Sequence, residues 1–566
     1  MGIKKFLVVV FFLLGAVWSF AQESKEPPYK DKLQQVESFL RNGNLREGLD
    51  ILEQITKDYP QAAEVFYAKG LLYGQSGNME EAIANARKAY ELEKSNLAFS
   101  NLLMDIYKRQ GMFEEAILLV KNLKNFYPKA EGLDRELLLL YTQNNQLDKA
   151  EAHYQTMAKT QHSDTLDLVM AEIYLNKNEH AKAKTLLQPL NGKTKIADIY
   201  AYLSYIHNRE GKQKEAISTI EQGIKITNDK SLYLDLADLY KDQGKTEPMF
   251  AALKEGFTAT TTSFDDKYRV LANLVYNEKV LSDTKLIQLA DVLVLNHPDM
   301  LAAQVIRGEL FWRKGDVEDA RTIFLKVVNS NVRYVDAWRL LINTDLALNQ
   351  PDEGIKHSQE ALRHNPNNSQ LLYFSALAHI AKSDWQKGRE VLETALNFSE
   401  NENSYLRSMI YGTLGDVYHQ LNEKDLSDVA YEEAIALDST NVGALNNYAY
   451  YLAQRKKDLH RAERFSKLSN DLEPNSATLM DTYAWVLFQQ GKFREALSWI
   501  EKAVKMETNS AVLFDHYGDI LIKLGKEKEA LKQWQKALEI HMANAEENAA
   551  NIDKIKTKIS GKKYVE

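Results

Sequence analysis

Large apolar residues recur in short helical blocks along this chain, and small residues interrupt them at fixed places. In "YAWVLFQQGKFREALSWIEKAVKME", residues 483–507, Ala484, Gly491, Ala496 and Ala503 sit among large apolar side chains. Ala496 and Ala503 are seven apart, so they share one helix face, where small residues let a neighbouring helix approach closely. Gly491 follows the apolar face of a first helix. The chain must reverse there, and glycine tolerates the left-handed stop. The stretch therefore predicts two helices joined by a tight turn.

The same arrangement repeats. Ala496 to Ala530, Ala503 to Ala537 and Gly491 to Gly525 are each 34 residues, as are Gly77 to Gly111. Ala82, Ala116, Ala150, Ala183 and Ala216 follow at steps of 34, 34, 33 and 33, and Tyr73, Tyr107, Tyr141 and Tyr174 keep the same steps. Pro60, Pro128, Pro298, Pro366 and Pro474 fall at repeat ends, where proline stops a helix. One helix of this length cannot bury its apolar stripe alone, so it must stack on the next pair.

These positions resemble the tetratricopeptide repeat. "VLFDHYGDILIKLGKEKEALKQWQKALEI" (512–540) carries the pattern through Gly518, Gly525, Ala530, Trp534 and Ala537. "EVFYAKGLLYGQSGNMEEAIANARKAYELE" (64–93) carries it through Phe66, Gly70, Tyr73, Gly77, Ala82 and Ala89. A third stretch, 412–438, has Gly415, Tyr418 and Ala434, but Ser427 replaces one alanine. The resemblance implies an all-α fold: an α-solenoid, a right-handed superhelix of antiparallel helix pairs, with about fifteen repeats.

The expected organisation follows. Lys4 and Lys5 precede the apolar run "FLVVVFFLLGAVW" (6–18), and "SFA" (19–21) offers small residues before a cut. This reads as an export signal over 1–21, the alternative being an uncleaved anchor. A polar lead, 22–31, precedes an N-terminal array over 32–256. In 257–300 the small-residue spacing is lost and threonines crowd together. That segment is either a joint between two superhelices or a worn repeat inside one. A second array covers 301–540, and 541–566 form a capping helix and tail. Ile552, Ile555 and Ile559 give that helix an apolar stripe, while Lys554, Lys556, Lys558, Lys562 and Lys563 read as a solvated face.

Composition narrows the function. The 566 residues contain no cysteine, which excludes disulfides, thiol chemistry, Cys-ligated zinc and a lipidated N-terminal cysteine. A net charge of −8 gives no support to nucleic-acid binding. The 12 histidines form no HxxxH or HExxH pair, and phosphate-loop, dinucleotide and GxSxG motifs are lacking. No cofactor, metal or catalytic residue is nominated. With Gln22 first after the cut, the N-terminus resembles exported proteins of Bacteroidota-type Gram-negative bacteria. That resemblance implies the periplasm, with any outer-membrane association made through partners and no stable membrane insertion after cleavage.

Binding is the function left. In solenoids of this kind the first helix of each pair lines a surface on which extended peptides dock. The inward positions of the last repeats are Asp416, Asn446, Tyr450, Asp481, Trp485, Asp515 and Asp519. Carboxylates and an amide among aromatics suit an extended segment carrying lysine or arginine, steered by charge and anchored by rings. The competing reading is that Tyr450 and Trp485 pack between repeats, and accessibility of Trp485 separates the two. The Lys and Asn set of a carboxylate clamp is absent: Asn101 stands with Asp105, Arg339 with Asn343, and Asp515 with Asp519. The expectation is a non-enzymatic periplasmic scaffold holding other envelope proteins or peptides. The alternative is a peptidoglycan or polysaccharide binder that stacks sugars on its aromatics.

Overall fold

The computed structural model describes residues 27–41, 44–160, 162–543 and 549–565. The expected export segment 1–21 and residues 22–26 of the polar lead lie outside them. Among the described residues all regular structure is helical: 31 α-helices and one short 3-10 turn. The described residues divide into two compact units, those up to 262 and those from 263 onward.

The first unit holds seven helix pairs, from Lys30–Arg41 with Leu45–Asp58 to Leu232–Asp242 with Thr246–Phe257. One second helix, His180–Leu187, is cut short, and Pro189 continues it only as the 3-10 turn Gln188–Leu190. The second unit holds eight pairs, from Phe264–Tyr276 with Asp283–Asn296 to Ala511–Lys523 with Glu527–Ala543. A last helix, Ala549–Gly561, follows them. Within the pairs the partners pack side by side, and first helices also touch the first helix of the next pair, as Val442–Gln454 does with Ala477–Gln489.

In thirteen of the pairs the internal turn has one recurrent slot in the left-handed region. Glycine fills it at 77, 111, 211, 244, 315, 491 and 525, asparagine at 145, 178, 349 and 422, Ser383 and Lys456 at the rest. This slot keeps the period even where its residue type changes. Glycine and asparagine reach that conformation at little cost, and other side chains pay in strain.

Small residues sit at the helix crossings. Ala82, Ala116, Ala150, Ala183, Ala216, Ala496, Ala503, Ala530 and Ala537 are fully buried. A Cβ on Gly308, Gly415 or Gly518 would lie 2.5, 2.8 or 2.4 Å from an aromatic ring, that of Phe324, Tyr431 or Trp534 respectively. In each case the ring is sixteen residues further on, in the second helix, so the glycine makes the socket and the ring fills it. Where Ser427 replaces alanine, its hydroxyl donates to the Gly415 carbonyl at 2.8 Å, which keeps a buried polar group satisfied.

The segment 257–300 contains the helix pair Phe264–Tyr276 and Asp283–Asn296, and the second of these packs on Leu301–Lys314. Its internal turn spans 277–282, with no left-handed residue, where other pairs turn in two to four residues. The missing glycine slot explains the loss of the sequence period there.

Candidate functional site

The inward positions of the second unit form two polar groups. The upstream group centres on Asp416. Its carboxylate accepts from Tyr431 Oη at 2.5 Å, from Asn447 Nδ2 at 3.0 Å and from Tyr451 Oη at 3.5 Å. Burial pushes its pKa above the usual carboxylate range, against those hydrogen bonds. Asn446 is buried and donates to Asn447 Oδ1 at 3.1 Å, while its own Oδ1 has no partner. Half-buried Tyr450 accepts from Gln454 Nε2 at 3.1 Å.

The second group closes the end of the stack. Asp481 lies on Ala477–Gln489 and accepts from His516 Nδ1 at 2.9 Å, across to the next first helix, Ala511–Lys523. His516 is buried; desolvation opposes its charge, but the Asp481 carboxylate, together with Asp515 and Asp519, outweighs it and the imidazole pKa is raised. Asp515 and Asp519, four apart on Ala511–Lys523, share one cation. Lys558 Nζ stands 2.7 Å from Asp515 Oδ1, 2.8 Å from Asp515 Oδ2 and 2.7 Å from Asp519 Oδ2. Asp519 Oδ1 also accepts from Trp534 Nε1 at 3.1 Å. Burial, with the neighbouring Asp515 charge, pushes the Asp519 pKa up to about 6.

Lys558 corrects the expected solvated lysine face. Lys554, Lys556, Lys562 and Lys563 are exposed, but Lys558 is 1% exposed. The signal was present in the sequence: Lys558 is three residues after Ile555 and one before Ile559, on the apolar stripe itself. Beyond the helix the chain continues to Tyr564, whose ring meets Phe488 at 5.4 Å and lies under Lys523 Nζ at 4.9 Å.

Trp485 is 8% exposed. Its ring stacks on His516 at 4.2 Å and on Phe488 at 4.9 Å, and its Nε1 has no partner. By the accessibility criterion its indole serves packing between repeats. Thus the structure joins Asp481, Trp485, Asp515 and Asp519 in one cluster, and leaves Asp416, Asn446 and Tyr450 in the group before it. His516, Trp534, Lys558 and Tyr564 complete the cluster; from sequence Trp534 was read only as a repeat position and Lys558 as solvated, and His516 and Tyr564 were not singled out. Among the described residues no group of three or more His, Asp or Glu side chains is placed to hold a metal ion. No helix among them is long and apolar enough to cross a membrane.

A repeated helix pair with these sockets and turns defines a class, and comparison with known families agrees. Tetratricopeptide-repeat models match residues 301–542 and 33–96, together more than half of the chain, and a PPR repeat model matches 100–126. The chain belongs to the tetratricopeptide-repeat family. It is 26% identical over 194 residues to the human protein O-mannosyl-transferase TMTC3, covering 34% of this chain and 21% of that protein. It is 24% identical over 131 residues to the type IV pilus assembly protein PilF of Pseudomonas aeruginosa, covering 23% of this chain and 50% of PilF. The chain thus spans between a fifth and a half of these relatives. Among solved structures, the APC/C hetero-tetramer Cut9-Hcn1 aligns at a TM-score of 0.42 and 12% identity, over 88% of this chain and 96% of that one. Proteins of this repeat family act in protein–protein interaction and scaffolding, and such scaffolds are generally non-enzymatic.

Proposed function

We propose that this chain is a non-enzymatic adaptor of the bacterial envelope, exported to the periplasm. It holds partner proteins through lysine- or arginine-bearing segments laid along its first-helix face. The observation that carries this reading is the carboxylate pair Asp515 and Asp519, which takes an ammonium between its two members through contacts of 2.7 to 2.8 Å. Upstream, the free Oδ1 of buried Asn446 and the half-buried ring of Tyr450 extend the same face. An extended segment would pair its main-chain donors with the amide and its cations with the acids. The reading of residues 1–21 as an export signal and the partial likeness to a pilus assembly protein support an envelope role.

The test is cross-linking in native cells, followed by purification of the full-length chain and mass spectrometry. Envelope proteins should be recovered with the wild type. They should be depleted with a Asp515→Asn, Asp519→Asn variant that keeps its helical circular dichroism. Recovery of no envelope protein, or equal recovery with both chains, would remove the proposal.

A further inference from the structure

We infer that residues 549–565 act as an internal occupant of the terminal groove, and that a partner's lysine-bearing segment displaces them. This deepens the adaptor reading and rests on it.

The first support is the chemistry of the contact. Asp515 and Asp519 face the same place from one helix, and like charges at this spacing repel. With the segment docked, Asp519 is 1% exposed and Asp515 is half-buried, so water relieves the pair only on the Asp515 side. A groove built this way demands a cation, and the chain's own Lys558 supplies it. A helix that served only to cover apolar surface would place an apolar side chain at this buried position.

The second support is where the segment runs. Tyr564 reaches Phe488 on the preceding repeat, beside the Trp485 and His516 stack. Closing the last helix pair does not require that contact. Lysine in the acid pair and an aromatic ring on the preceding repeat are the features expected of a bound partner segment.

The third support is the light attachment. Among the described side chains of Ala549–Gly561, only Ile555 and Lys558 are buried, and Ile552 and Ile559 are half-buried. The helices inside the stack bury more: Ala511–Lys523 has eight buried residues. The segment is held by Lys558 between two acids, by a surface Lys562–Glu527 pair, by Tyr564, and by one fully and two partly buried isoleucines. That is less buried apolar surface than a helix inside the stack has, and displaceable elements are drawn from such lightly buried segments.

The test uses full-length chains and a fluorescein-labelled peptide of residues 549–565, read by anisotropy. The wild type, with its groove filled in cis, should bind the peptide weakly. A Lys558→Gln chain should bind it about tenfold more tightly or better, because the groove is open for a larger fraction of the time. An Ile555→Ala chain, which loosens the segment without touching the lysine, should shift the same way. The peptide carrying Lys558→Gln, and a scrambled peptide, should bind neither chain. Equal affinity for wild type and both variants overturns the inference, as does equal binding of the scrambled peptide. Its failure is distinguishable from that of the adaptor reading. If the peptide fails but Asp515→Asn, Asp519→Asn still depletes partners in cells, internal occupancy falls and the adaptor stands. If the peptide exchanges as expected but no partner is lost, the segment is a closure and the adaptor reading falls.

Discussion

The indole of Trp534 occupies the place of the side chain that Gly518 lacks: its Cδ1 and Nε1 lie 2.4 Å from where a Cβ would stand. The ring is fully buried and its Nε1 is bonded to Asp519, so it has nowhere to retreat. Alanine's helix propensity gains up to about 1 kcal/mol, but overpacking this socket costs about 1–3. Gly518→Ala should therefore destabilise the second unit by about 1–2 kcal/mol in urea unfolding. Gly132 is the control. It is helical and exposed, nothing lies within 4 Å of its Cβ position, and Gly132→Ala should be stabilising.

The recurrent turn slot makes the opposite prediction where its residue is unsuited. Ser383 holds φ 60° in the position that glycine takes elsewhere. The left-handed conformation costs a non-glycine residue about 1–2 kcal/mol, and glycine's extra unfolded-state entropy takes back about 0.5–1. Ser383→Gly should raise stability by about 0.5–1 kcal/mol, read as a higher urea midpoint at unchanged slope. A fall would show that the serine has a role the turn geometry does not reveal.

The terminal cluster should respond to pH with a definite sign. Asp519 has its folded pKa raised to about 6, so the folded state binds a proton more readily than the unfolded chain. Its contribution is then most favourable below the ordinary carboxylate range and is lost as pH rises through about 6. His516 is also raised, so its contribution is full below the ordinary histidine value and is lost as pH rises through its folded pKa. Both act in one direction. Amide-exchange protection of 511–543 should fall as pH rises from 5 to 8, after correction for intrinsic exchange. Asp519→Asn should flatten the acidic part of that profile.

Lys558→Met keeps the side-chain length but removes the cation. Leaving a buried carboxylate pair unpaired would cost about 3–5 kcal/mol if the helix stayed docked. Undocking is the cheaper outcome, because little apolar surface holds Ala549–Gly561 in place. Amide exchange in 549–561 should therefore become fast while 442–506 stays protected. Adding Asp519→Asn should restore part of the protection, since one fewer buried charge remains.

The fold was legible because its information is local and repeated. Ala496, Gly491 and their counterparts state a crossing and a turn within each pair, and fifteen pairs confirm one another. The period failed at 277–282, where the turn lengthens and the left-handed slot vanishes. The helices there persist because their packing on Leu301–Lys314 is tertiary. The candidate site was legible only in part. Asp481, Asp515 and Asp519 were found from their register on first helices, but their partners were not. His516 lies 35 residues from Asp481, and Lys558 lies 43 and 39 residues from Asp515 and Asp519. The first separation is one repeat plus a residue, but no periodicity encodes where Lys558 enters.

By itself, then, the sequence determined the helix pairs, their small-residue sockets, their turns and the acidic character of the last first helices, because each depends on side chains a few residues apart. Only the tertiary structure decided what those acids hold. A lysine on an apolar stripe is a misfit in sequence and becomes a bound cation only when two carboxylates, one of them fully buried, stand where it enters. The same packing took Trp485 away from solvent by stacking it between a histidine and a phenylalanine.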